Sequence, residues 1–213
     1  MNIDDLKYGN PTKYQEDVIK QDIAGLLDKS IKLGIIEDML KNHPFPKNSS
    51  DITKKELLYL KRITDSLDET EIKFLQMMED DHYTFFEKVA NKLGIDVNRD
   101  TILGWCKRID PITFYLKDKY NRPRPFQLSD YLGIELRVPI TTDAFSGAYP
   151  SGHTIDFLVI IHNLLKTNPY AKKALNELYN SIRSVREKSG VHYPSDTKVS
   201  EILVKKLIEK KVI

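Results

Sequence analysis

The residues best suited to chemistry lie in the second half of the chain, in three short clusters. The first, residues 117–125, holds Lys117, Arg122 and Arg124, and each arginine precedes a proline. A residue before proline is kept out of the α region. A helix bearing Lys117 is therefore expected to end near Tyr120 and run into a stiff loop that presents two guanidiniums. An arginine already held in place loses less entropy when it grips an oxyanion through two N–H groups. The second cluster, residues 147–154, places Pro150, Ser151, Gly152 and His153 ahead of an apolar run at 155–165. Proline, a capping serine and an apolar run mark a helix start, whose free N–H groups and positive dipole end suit an anion. Gly152 lets a ligand approach the backbone, and His153 stands beside it in the first turn. His162 falls about half a turn round the helix from His153 and reads as a packed or surface histidine.

The third cluster, residues 186–196, contains Arg186, Gly190, His192, Pro194 and Asp196. A helix is expected to end at Gly190 and another to open at Pro194 and Ser195, leaving His192 in a tight connection. Asp196, in the first turn of the second helix, can fix one ring nitrogen of His192 and leave the other free to attack. Phosphoryl transfer needs neutralised charge on three equatorial oxygens, an in-line nucleophile and an acid opposite for the leaving oxygen. The three clusters together supply those parts. No Ser-centred elbow, Walker loop or His-rich metal motif competes with them.

At these residues the chain resembles the type-2 phosphatidic acid phosphatase superfamily, and within it the soluble bacterial class A non-specific acid phosphatases. The superfamily pattern is a lysine followed at fixed distance by Arg-Pro, then Pro-Ser-Gly-His, then an arginine followed by a histidine and an aspartate. Here those positions are Lys117 with Arg124 and Pro125, residues 150–153, and Arg186 with His192 and Asp196. The strings at 120–126, 147–154 and 190–196 are similar to class A in particular. The resemblance covers roughly residues 100–205.

The resemblance implies an all-α fold of the acid phosphatase/vanadium haloperoxidase type and a phosphoric monoester hydrolase that works through phosphohistidine without a metal. By it, His192 attacks phosphorus, Asp196 orients His192, and His153 protonates the leaving alcohol and then activates water. Lys117, Arg124, Arg186, Ser151 and the Gly152 amide would hold the phosphoryl oxygens. The lysine–arginine register selects Arg124, so Arg122 is auxiliary at most. The serine that usually precedes the third-cluster arginine is Val185 here, which is expected to loosen one phosphate contact. No cofactor is expected, with vanadate acting as an inhibitor that mimics phosphate. The substrate is a small phosphate ester, with neither nucleic acid nor membrane as partner, and the resemblance suggests a homodimer. Two other readings of the same residues stand beside this one: a vanadium-dependent haloperoxidase, and a phosphate-binding protein without turnover.

The elements that must position these clusters are helical. Leu57, Leu60, Ile63 and Leu67 recur at helical steps, as do Leu75, Met78, His82, Phe86, Val89 and Leu93, with Gly94 placed as a C-terminal cap. Val18, Ile19, Ile23 and Leu26 form a further stripe, and Ile35, Ile36, Met39 and Leu40 another. Residues 135–140 could be a short extended piece. The expectation is one domain over 1–213 with about eight helices, in which 1–100 is scaffold and 101–213 carries the chemistry. A chain of 213 residues is long enough for one sizeable core, burying roughly 70% of its unfolded surface. Lys and Arg number 33 against 31 Asp and Glu, a balance that gives no reason to expect nucleic acid or an acidic membrane as partner. Any anion site must then come from local clustering. The single cysteine, Cys106, excludes an internal disulfide framework and reads as a half-buried residue beside Trp105. The most apolar run falls short of the ~18 residues of a membrane span. A cytoplasmic location is expected, or a periplasmic one if a signal peptide has been removed.

Overall fold

Several helix starts follow side-chain chemistry: Thr12, Ser50, Asp68 and Asn98 each accept a backbone N–H at an N-cap. The computed structural model describes residues 2–22, 24–142 and 144–213; Ile23 of the first stripe lies outside them. The described residues form helices and no strand. The first half of the chain builds α1 (Lys13–Gln21), α2 (Leu26–Lys32), α3 (Ile35–Asn42), α4 (Asp51–Asp65) and α5 (Glu69–Lys92). The second half builds α6 (Arg99–Lys107), α7 (Asp110–Tyr120), α8 (Pro125–Tyr131), α9 (Gly152–Thr167), α10 (Lys172–Ile182), α11 (Val185–Lys188) and α12 (Pro194–Glu209).

The all-α expectation holds, but twelve α-helices among the described residues replace the expected eight. Chain breaks split what periodicity alone would merge. Gly34 in the left-handed region separates α2 from α3, and the prolines after Asn121 separate α7 from α8. The helix expected to run to Gly190 breaks at Arg183 and Ser184, and the four-residue α11 follows. Residues 135–140 form no strand; they are irregular chain that packs its Arg137 carbonyl against Gly190. Cys106 is wholly buried rather than half-buried.

At the centre runs α9, buried on two sides. Ile155 and Val159 pack with α2, α3, α7 and α12. Phe157, Ile160, Ile161 and Leu164 pack with α5, α6 and α10. A third cluster joins Leu57 and Leu60 of α4 to Leu128 of α8 and to Tyr193. At ~1.5–3 kcal/mol for each fully buried large apolar side chain, this double-sided burial fixes the N-terminus of α9. His153 in its first turn is fixed with it. No described helix is long and apolar enough to cross a membrane.

One break lies inside a helix. Asp81 leaves the helical region within α5 (φ −159°, ψ 76°). Its carboxylate accepts from the Thr84 amide at 3.2 Å and the Thr84 hydroxyl at 2.7 Å, so it caps the second half of the helix from within. Such a break is an identifiable cause of a kink. It lies just after residues of α5 that turn out to line the site.

Candidate functional site

The three clusters meet at a cavity of about 620 Å³ between α5, α7, the start of α9 and α11. Lys117, Arg124, Gly152, His153, Arg186 and His192 all line it. Each arrives there for a local reason. Lys117 lies in the last turn of α7, which stops at Asn121 in the left-handed region (φ 44°). Arg124 is extended before Pro125, the first residue of α8. His192 lies between Gly190, at φ 72°, and Pro194, which opens α12 with a fixed φ.

His192 is gripped on both ring nitrogens. Its Nδ1 is 3.1 Å from Oδ2 of Asp196, and its Nε2 is 2.8 Å from Nη1 of Arg124. A guanidinium can only donate, so Nε2 accepts, and the neutral ring carries its proton on Nδ1, toward the carboxylate. Burial, then Arg124, Lys117 and Arg186, hold this imidazole well below the ordinary histidine value. Asp196 is fully buried and also accepts from the Tyr193 amide at 2.9 Å. Burial raises its carboxyl to about 6, while Arg122 works in the opposite direction.

Arg122 is placed behind the site. It is fully buried, bonded through Nη1 to Asp196 Oδ1 at 2.6 Å and through Nη2 to Glu56 at 3.1 Å. Its guanidinium lies 3.7 Å from the centre of the Tyr193 ring. This is the counter-charge that lets a buried Asp196 stay ionised beside His192, a more specific role than the auxiliary one its sequence position implied.

The cations facing the cavity are anchored largely by carbonyls, which hold position without cancelling charge. Arg124 donates from Nε to the Ser146 carbonyl at 2.8 Å and from Nη1 to that of Val191 at 2.9 Å. Lys117 Nζ donates to the Gly147 carbonyl at 2.7 Å. Gly147 itself is needed for this approach, since a Cβ there would sit 3.1 Å from the Lys117 carbonyl oxygen. Burial, with Arg124 beside it, pulls Lys117 well below the usual lysine value. Burial brings Arg124 to about 10 against the opposing pull of Asp196, and burial brings Arg186 to about 9. Cations pushed this way by desolvation are destabilised when nothing negative is bound.

Ser151 does not line the cavity. It is fully buried, its hydroxyl accepts from Thr154 Oγ1 at 3.0 Å, and its amide donates to Ser200. His162 lies elsewhere, in a shallow surface groove with Leu158 and Leu165, as its position round α9 implied.

The first hundred residues are more than scaffold. From α5, Glu79 places its Oε2 against Nη1 of Arg186 and 3.8 Å from Nε2 of His153. His82, read as one member of an apolar stripe, sets its ring 4.7 Å from that of His153, tilted at 50°, and lies 3.3 Å from Asp156. Phe157 lies beneath both histidines. From α4, Glu56 holds Arg122 and the Ser195 amide. Tyr14, Gln76 and Tyr83 complete the outer cavity wall. One signal for Glu79 and His82 was available in the sequence. Both fall on the buried side of the α5 stripe, beside Met78 and Leu75, where an unpaired ionisable residue is costly.

No family model matches this sequence, and no curated protein matches it.

Proposed function

We propose that this protein is a phosphatase that hydrolyses phosphomonoesters through a phosphohistidine on His192 and needs no metal to do so. The observation that carries this reading is His192 itself. It is a buried neutral imidazole, oriented by a carboxylate at Nδ1, with Nε2 beside a cavity lined by three cations; Arg124, which donates to Nε2, would have to shift to the phosphoryl oxygens to release that lone pair. That is the arrangement of an activated nucleophile facing an anionic substrate.

In this reading, Lys117, Arg124, Arg186 and the Gly152 amide at the start of α9 receive the phosphoryl oxygens. His192 Nε2 bonds to phosphorus as the bond to the leaving oxygen breaks. His153 gives that oxygen its proton, then takes a proton from water as water displaces His192. Asp196 stays ionised and balances the charge that develops on the His192 ring. The Ser151 hydroxyl accepts from Thr154 and would have to turn to reach phosphate.

The likeness of the three motifs to the type-2 phosphatidic acid phosphatase superfamily, and to its class A acid phosphatases, supports the same reading. A small phosphate ester as substrate, a cytoplasmic compartment and a homodimer belong to it as further proposals. The test is hydrolysis of p-nitrophenyl phosphate in excess EDTA by wild type and by His192→Ala. Turnover by wild type alone is expected, with inhibition by vanadate. Equal turnover by the two proteins would remove His192 from the mechanism. Bromide oxidation by vanadate-loaded protein without any ester hydrolysis would assign the pocket to peroxidase chemistry instead.

A further inference from the structure

Glu79 belongs to none of the three motif clusters, yet its carboxylate stands where two of the proposed working groups meet. We propose that Glu79 is a positioning residue: it holds Arg186 and keeps on His153 the proton that the leaving group takes. The proposal deepens the phosphoryl-transfer reading above and rests on it.

The structure builds this position with some care. The break at Asp81 ends the first half of α5 just beyond Glu79. Gln76, one turn earlier, exchanges two bonds with the backbone of Thr141, at 2.9 Å and 3.2 Å. Thr142 then donates its hydroxyl to Glu79 Oε1 at 2.6 Å. One carboxylate oxygen is thus tied to the chain between α8 and α9. The other, Oε2, is left to face Arg186 Nη1 and His153 Nε2. The Glu79 side chain is 9% exposed, so the carboxylate works where screening by water is weak.

The charged and titratable groups around His153 come from every neighbouring element. Glu79 and His82 approach from α5, Lys117 from α7, and Arg124 from the chain before α8. Arg186 comes from α11, His192 from the turn before α12, and Asp156 from α9 itself. Asp156 Oδ2 lies 3.3 Å from His82 Nε2. Burial, then His82, Lys117 and Arg124, favour the neutral ring. A neutral His153 cannot supply a proton to an alkoxide, so a carboxylate beside the ring would favour the imidazolium together with the bound substrate. Glu79 places a carboxylate oxygen 3.8 Å from His153 Nε2. The proton balance closes over a turnover, since His153 loses one proton to the leaving oxygen and regains one from water. Glu79 neither gains nor loses one.

The deciding experiment is NMR titration of the His153 ring in wild type and Glu79→Gln, assigned with a His153 variant. It is paired with kcat and KM for p-nitrophenyl phosphate across the pH range. Opposite charge at this distance moves a titration by ~1–3 units. Glu79→Gln is therefore expected to lower the His153 midpoint by about one unit or more. It should also move the basic limb of kcat to lower pH and change kcat more than KM. Thr142→Val, which cuts the tether and keeps the carboxylate, should act in the same direction to a smaller extent. Glu79→Asp should restore part of the profile. An unchanged His153 midpoint in Glu79→Gln overturns the proposal, whatever the protein hydrolyses. If wild type hydrolyses no ester while the midpoint still moves, the coupling stands and the phosphatase reading falls.

Discussion

Nη1 of Arg124 lies 2.8 Å from Nε2 of His192, on the side of the ring opposite Asp196. An arriving phosphoryl group would meet its guanidinium and its attacking nitrogen already in contact. Arg122, two residues earlier, is committed on the far side of Asp196. The two arginines of one short loop are therefore predicted to fail differently. Arg124→Lys removes the planar fork and should lower kcat by roughly 10²–10³-fold. Arg122→Ala leaves Asp196 and Glu56 as buried carboxylates without their cation and should destabilise the fold by ~3–5 kcal/mol. Urea unfolding beside steady-state kinetics separates the two effects. A stable, inactive Arg122→Ala would contradict the assignment of Arg122 to structural support.

Anion binding should be accompanied by proton uptake. Lys117, Arg124, Arg186 and His153 are all held below their ordinary values, with burial the largest cause for each. A bound dianion favours the charged form of every one of them. Their values must then rise on binding, protons are taken up, and affinity falls as pH rises through the shifted range. Calorimetry with sulfate, which does not titrate here itself, in buffers of different ionisation enthalpy measures this directly. A binding enthalpy independent of buffer would show that the cations are already fully charged.

Gly190 sets the turn that delivers His192. Its φ is 72°, and a Cβ would sit 2.8 Å from the carbonyl oxygen of Arg137. Gly190→Ala therefore adds a left-handed penalty of ~1–2 kcal/mol to a backbone clash that must move residues 190–193. Both stability and turnover should fall, with denaturant midpoint and kcat as the readouts. Gly152→Ala is a contrast, since its Cβ would meet only Thr113 and Lys117 side-chain atoms at 3.7 Å and 3.8 Å. Its loss should appear in turnover and leave the midpoint nearly unchanged.

The parts of this site that were legible in the sequence are those set by local rules. Proline after Arg124, a Ser151–Gly152 helix start and a Gly190–Pro194 turn each fix backbone within a few residues. The side chains they carry could therefore be grouped before any fold was known. The rest depended on distant packing. Nothing near Arg122 in the sequence shows that Glu56 will reach it across α4, or that Tyr193 will lie under its guanidinium. Glu79 and His82 follow the helical period of α5, and periodicity gives the buried face without saying what faces it. The count of helices was underestimated for a related reason. Helices as short as α8 and α11 show too few repeats to stand apart from their neighbours.

The covalent intermediate is the centre of the account, and it can be sought directly. Protein mixed with p-nitrophenyl phosphate, quenched in base within a turnover and digested, should yield the peptide containing His192 carrying one phosphoryl group. The label should be stable to alkali and lost in acid, as a phosphoramidate is. It should accumulate in His153→Ala, where water is no longer activated, and be missing in His192→Ala. Release of p-nitrophenol by wild type with no label on His192, under conditions where His153→Ala also shows none, would contradict phosphoryl transfer through this histidine.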